Sequence, residues 1–303
     1  MTKKIEVTGL ENPLDVCKEL EAGNLLFFEK IPFSFPQEEI DFLLAQKQSS
    51  RKKSKNIAYK PHLDLLSNDG TKNDSEKEKL KAVLKSYSEQ VTQFLGKLLS
   101  PYSKDWKVDY TSFRPFQEKG RDLRLRARND LLHFDAFPTR PLNGDRILRF
   151  FTNINPKEDR HWITSDSFED LAIRYGGSSI AFPKSTDYSW KGRVERALCR
   201  LMAKGGVKQA IRSPYDQFML QFHHFLKEES EFQLHCEKQN WHFPPGSCWA
   251  VFTDQVSHAA LSGQYALEQT FFVPIKSLLF PEKSPLRVLE RLTEGSLVFP
   301  KRG

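Results

Sequence analysis

The chain contains no apolar run approaching the ~18 residues that a bilayer-spanning helix requires. Its first six residues, Met1, Thr2, Lys3, Lys4, Ile5 and Glu6, lack the apolar stretch of a secretory signal, so an exported protein is not expected. Cysteine is scarce: Cys17, Cys199, Cys236 and Cys248 stand far apart among 303 residues, and no C-x-x-C pair occurs. That argues against a zinc ribbon or a disulfide scaffold and suits a reducing compartment, so the cytoplasm is the expected location. An H-E-x-x-H pattern is also missing, which removes the usual plan of a zinc hydrolase. No internal repeat and no low-complexity linker divides the chain, and its length suits one elaborated domain with a large core.

What is present is basic charge and phenylalanine. A net charge of +7 points to an acidic partner, whether nucleic acid, phospholipid headgroups or an anionic substrate. The aromatic-basic interleaving of a strand-binding groove is missing, so nucleic acid is not expected. The 24 phenylalanines suit the packed interior of a β-structure.

The most informative residues are His133, Phe134 and Asp135, answered by His258. On extended backbone, residues i and i+2 point to the same side, so His133 and Asp135 can grip one ion while a later strand supplies His258. Two histidines and a carboxylate on one face of an octahedron form the facial triad of non-heme Fe(II) oxygenases, which keeps positions open for a co-substrate and O2. By itself H-x-D is a common accident, and its surroundings give it weight. Residues 146–154 are β-branched and aromatic and read as a strand, residues 247–252 follow a Pro-Pro-Gly turn as a second, and residues 267–274 form a third.

Elsewhere, residues 77–99 carry apolar side chains at helical spacing from Leu80 to Leu98, short helical patterns occur at 13–21 and 37–44, and 24–28 is strand-like. The expected fold is mainly β with flanking helices: a double-stranded β-helix (jelly-roll) barrel with an N-terminal helical or mixed layer and an inserted helical segment. Residues 1–105 would form the N-terminal elaboration, 106–280 the core with a helical insertion at about 157–235, and 281–303 a tail with one helix.

The stretch from Leu132 through Arg149 and on through Phe151 to Pro156 resembles the bacterial Kdo (3-deoxy-D-manno-oct-2-ulosonic acid) hydroxylases. So do Phe243, Pro244, Pro245, Gly246 and Ser247, the run Thr253 to Ala260, Gly263 to Tyr265, Glu268 to Phe271, and Lys55 to Tyr59 near the N-terminus. The resemblance implies a dioxygenase that uses Fe(II), 2-oxoglutarate and O2, with His133, Asp135 and His258 on the iron. It further implies hydroxylation at C3 of Kdo in a Kdo-lipid A glycolipid, with 2-oxoglutarate converted to succinate and CO2.

The co-substrate's distal carboxylate needs a buried cation. In the wider superfamily an Arg or Lys often stands shortly beyond the distal histidine, where this chain has Glu268 and Gln269. The alternatives are Arg149, on one strand face with Phe151 and Asn153, and Arg146, on the other; a guanidinium suits a carboxylate, and Arg149 is preferred. Asn153 and Gln269 are candidate polar supports. Arg124, Arg126 and Arg128 alternate with Leu123, Leu125 and Ala127, so they read as one face of a strand, either solvated or funnelling an anionic substrate; Arg140 is a further candidate at the mouth. His223 and His224 are adjacent on an apolar helix, diverge by ~100°, and read as packing or rim residues. Residues 190–204 read as a helix with a basic and an apolar stripe, which would either pack on the protein or lie on an anionic membrane surface. Two rival readings remain open: a hydroxylase of another substrate (protein, lipid or nucleobase), and a cupin-like barrel that binds metal or sugar without redox turnover.

Overall fold

The computed structural model describes residues 1–8, 12–46, 56–68, 73–184 and 212–299. Its strands are β1 (Lys4–Glu6), β2 (Leu25–Phe28), β3 (Ile57–Lys60), β4 (Leu65–Ser67), β5 (Lys107–Arg114), β6 (Arg146–Asn153), β7 (Arg160–Ser167), β8 (Gln239–Phe243), β9 (Cys248–Phe252), β10 (Val256–Ser262) and β11 (Ala266–Val273). The described helices are α1 (Pro13–Glu21), α2 (Gln37–Leu44), α3 (Asp74–Leu98), α4 (Ser100–Ser103), α5 (Phe168–Tyr175), α6 (Pro214–Glu228), α7 (Ser230–His235) and α8 (Pro285–Thr293). Residues 190–204, read above as a striped helix, and Cys199 lie outside the described residues.

Eight strands form one sheet in the order β1-β2-β9-β6-β11-β5-β3-β4, and three form a second in the order β10-β7-β8. The architecture is thus a β-sheet core with flanking helices. The expected barrel is not closed: the strands divide between two separate sheets. The N-terminal layer contributes β1 to β4, which extend both edges of the large sheet. A second difference concerns the inserted segment. Residues 160–167 fall inside the expected insertion, yet they form β7, the central strand of the small sheet, paired with both β10 and β8.

β6 explains the layering. All eight of its residues are buried, as a central strand covered on both faces requires. Leu148 and Phe150 join α3's Leu84, Tyr87 and Val91 in the outer core, and the Tyr87 hydroxyl lies 2.9 Å from Thr152 Oγ1. Phe151, one residue out of phase, packs with Trp162, Phe243 and Trp249 between the sheets. α3 is secured at its start by Asn73, whose side-chain oxygen accepts from Ser75 N and Glu76 N. Its apolar stripe from Leu80 to Leu98 is buried against the large sheet.

A third cluster closes the far side. Phe218, Met219 and Phe222 of α6, Leu171 of α5 and Leu289 of α8 pack around Leu132, Phe134 and Ala259. The segment holding two of the three metal-site candidates is therefore clamped between the small sheet and a helical layer. α6 begins with a capping box at Ser213 and Asp216, and Asp216 also accepts from the backbone N–H groups of Leu142 and Asn143. One helix start thereby pins the loop that follows Asp135.

Candidate metal centre

His133 and His258 face each other across a two-hydrogen-bond antiparallel bridge, His133 N to His258 O at 3.1 Å and His258 N to His133 O at 3.0 Å. Asp135 N donates to Thr253 O at 2.9 Å, so the three side chains emerge from two backbone segments locked together. Their ligand atoms all lie within 4.8 Å of one another, and all three residues are buried. His133 Nε2 is 3.8 Å from Asp135 Oδ1, and His258 Nε2 is 3.9 Å from Asp135 Oδ2.

Each imidazole is oriented by its other nitrogen. His133 Nδ1 lies 2.7 Å from Leu131 O, and His258 Nδ1 lies 2.9 Å from Val256 O. A carbonyl only accepts, so Nδ1 carries the proton in both rings and the Nε2 lone pair is left for a metal. Burial pushes both imidazoles below their ordinary pKa, which keeps them neutral, as ligands must be. Asp135 goes the other way: burial opposes its charge, but Arg149 overrides this and holds the carboxyl down to about 2. Arg149 Nε lies 3.2 Å from Asp135 Oδ2, and neither atom makes a hydrogen bond. A buried carboxylate oxygen without a donor beside two neutral Nε2 atoms fits a divalent cation. The 2N,1O donor set suits iron and leaves coordination positions open.

Beside the centre is a cationic wall, part of a cavity of about 530 Å³ that the three residues also line. Arg149 of β6, Arg114 of β5 and Arg160 of β7 converge there with Trp162. Arg114 Nη2 donates to Glu268 Oε2 at 2.7 Å, Arg149 Nη1 is 3.4 Å from Glu268 Oε1, and Arg114 and Arg160 share Glu118 Oε1 at 3.3 Å. Burial disfavours the charge of Glu118, yet Arg114 and Arg160 hold its carboxyl down to about 2. Arg160, fully desolvated, falls to about 10 and stays charged near neutrality. Gly263 permits this packing. At φ +116° it accepts from Arg160 Nη1 through its carbonyl, and a Cβ there would meet Arg160 Cα at 2.9 Å. The Nε atoms of all three arginines and the indole Nε1 of Trp162 are buried without a partner. Four orphaned donors along one wall are costly unless an anion completes them.

The sequence expectations meet this geometry unevenly. Arg149 lines the cavity. Arg146, Asn153 and Gln269 do not, because each is consumed structurally. Arg146 binds Asp254 Oδ2 at 2.7 Å and Gln255 Oε1 at 2.7 Å, fixing the turn before His258. Asn153 donates to the carbonyls of Glu158 and Phe243, and Gln269 to those of Asp109 and Thr270. Arg124, Arg126 and Arg128 are not on a strand: residues 125–127 form a 3-10 turn. Arg126 reaches the cavity and pairs with Glu228, whereas Arg128 pairs with Asp130 and, like Arg124, does not line it. Arg140 lines the cavity, paired with Asp109 and stacked 4.0 Å from the Tyr110 ring centre.

Arg114, Arg160 and Trp162 escaped the sequence reading, and the contact of His223, read as a packing or rim residue, with the metal-site candidates was not foreseen. Arg114 was detectable in principle, since Tyr110, Ser112 and Arg114 alternate on β5 and all three line the cavity. His223 was not: its Nδ1 lies 2.6 Å from Phe134 O and its ring centre 4.9 Å from that of His133, a contact created by the docking of α6.

A two-histidine, one-carboxylate donor set on a β-sheet core, walled by arginines, is the arrangement that non-heme Fe(II) oxygenases use. Comparison with known proteins narrows the class. The family model described as 3-deoxy-D-manno-oct-2-ulosonic acid (Kdo) hydroxylase matches residues 6–296, and this chain belongs to that family. It is similar to solved structures of the Kdo hydroxylase KdoO, a non-heme Fe(II) α-ketoglutarate-dependent dioxygenase. The complex with α-ketoglutarate and Fe(III) is 34% identical over 98% of this chain and 97% of that one, with a TM-score of 0.84. The cobalt(II) complex is 33% identical over 99% of both chains (TM-score 0.83), and the complex with succinate and Fe(III) is 34% identical over 99% of both (0.82). No curated protein sequence matches.

Proposed function

We propose that this chain hydroxylates C3 of Kdo on a lipid A-linked glycolipid, using Fe(II), 2-oxoglutarate and O2. His133, Asp135 and His258 would hold the iron, and Arg149, Arg114, Arg160 and Trp162 would receive the co-substrate. The single observation that carries this reading is the pairing of a buried 2N,1O donor set with a wall of orphaned N–H donors. The wall's three guanidinium groups already face the carboxylates of Asp135, Glu118 and Glu268. A divalent cation and a dianionic co-substrate therefore enter together without adding net charge to a buried site.

Bound iron and 2-oxoglutarate supply the oxidising chemistry, with succinate and CO2 as by-products. The chain's own residues do the positioning. Arg149 fixes the Asp135 carboxylate, and the carbonyls of Leu131 and Val256 fix the two rings. Trp162 stacks on His258 with ring centres 5.2 Å apart and is itself wedged against Phe151 and Trp249, which bars water from that side. We read the two sheets as the halves of a double-stranded β-helix, supported by the bridge that ties the His133 segment to β10. Exposed Leu63 and Leu125 flank cavity residues Lys60 and Arg126, an apolar and basic rim suited to lifting a glycolipid from an anionic membrane surface on the cytoplasmic side.

Incubation of the full chain with Fe(II), 2-oxoglutarate, O2 and Kdo-lipid A, followed by mass spectrometry, tests the reading. The expected product carries one additional oxygen on the Kdo fragment, matched by succinate. An unmodified glycolipid would overturn the proposal.

A further inference from the structure

We propose that Lys227 is the cation that grips the carboxylate of the sugar acid and thereby selects the carbon presented to the metal. This inference rests on the reading that the site oxidises such a sugar. In a 2-ulosonic acid the carboxyl carbon is bonded to C2, and C3 is the next atom along. A cation that holds the carboxylate while C3 is oxidised therefore sits beside the metal, not at the cavity mouth.

α6 supplies such a cation. His223 and Lys227 are four residues apart and share one helix face. His223 packs against His133 at 4.9 Å, so Lys227 lies one turn further along the face turned toward the centre. Both residues line the cavity.

The other described cavity cations are placed for different work. Arg114, Arg149 and Arg160 form the wall assigned to the co-substrate. Arg140 is committed to Asp109 and Arg126 to Glu228, and Lys60 stands 5.2 Å from the Tyr110 ring centre. Those three are partly or largely exposed, whereas Lys227 is 3% exposed, with Nζ 3.2 Å from Arg126 O. Lys227 thus lines the same cavity as the arginine wall and the three metal-site residues.

The test compares wild type, Lys227→Met and Lys227→Arg on Kdo-lipid A and on its Kdo carboxyl methyl ester. Wild type should lose about 10²-fold in kcat/KM on the ester, the scale for breaking a hydrogen-bonded charge pair. Lys227→Met should lose a similar factor on the acid and no longer distinguish acid from ester, and Lys227→Arg should restore part of the discrimination. Anaerobic calorimetry should show glycolipid affinity falling in Lys227→Met while 2-oxoglutarate affinity stays close to wild type. Acid-over-ester discrimination in Lys227→Met equal to wild type, or in Lys227→Arg if the first variant fails to fold, would overturn the assignment alone. A wild type inactive on Kdo-lipid A would overturn the function beneath it as well.

Discussion

Asp135→Ala is expected to abolish hydroxylation and to lower Fe(II) affinity by well over the ~10–100-fold that outer-shell substitutions alone produce. The carboxylate is the site's only anionic ligand among the described residues, and it also neutralises Arg149 at 3.2 Å. Its removal leaves two neutral imidazoles and a nearby cation, an environment that repels a metal ion. Asp135→Asn keeps the shape and removes the charge, so it should lose iron almost as completely while retaining the fold. Anaerobic equilibrium dialysis of Fe(II), with circular dichroism as the folding control, separates the two effects. Wild-type affinity in either variant would exclude this centre. His258→Ala should behave alike, because its Nε2 points at the same carboxylate.

The second large effect concerns the arginine wall. Arg160→Met should raise the KM for 2-oxoglutarate by about 10²-fold or more, since truncating one member of a buried hydrogen-bonded charge pair costs roughly 2–5 kcal/mol. Arg160 is 1% exposed, rigidly held by Glu118 and Gly263 O, and has an orphaned Nε. A 2-oxo acid without the distal carboxylate, such as 2-oxobutyrate, should bind Arg160→Met and wild type with similar, weak affinity. Unchanged 2-oxoglutarate titration in the variant would remove Arg160 from the anchor. Some loss of thermal stability should accompany the substitution, because Glu118 loses one of its buried partners.

How much of this was legible in the sequence depended on whether local spacing or tertiary docking decided the outcome. His133 and Asp135 are two apart on backbone that bridges to His258, so the convergence of the three follows from strand periodicity once the strands are recognised. Arg149 was separable from Arg146 by the same alternation, and the structure gives the reason: one face of β6 looks into the cavity, while Arg146 at the strand's start turns to Asp254. The same rule misled at Arg124, Arg126 and Arg128, where a short alternation is equally compatible with irregular chain around a single 3-10 turn. Arg160 was overlooked because it opens β7 directly after the charged Lys157, Glu158 and Asp159, which read as a loop. The aromatic and β-branched Trp162, Ile163 and Thr164 that follow were the available signal. For the contact of His223 with His133 no local signal existed, because it depends on how α6 is seated on the centre.

The central claim is that these side chains hold a metal site that splits O2 between a 2-oxo acid and a sugar. Supplying isotopically heavy dioxygen to the full chain with Fe(II), 2-oxoglutarate and Kdo-lipid A tests it most directly. One heavy atom should appear in succinate and heavy oxygen should appear in the new hydroxyl group of Kdo, with both signals lost in Asp135→Ala. Succinate without heavy oxygen, or a labelled sugar in the Asp135→Ala variant, would contradict the account.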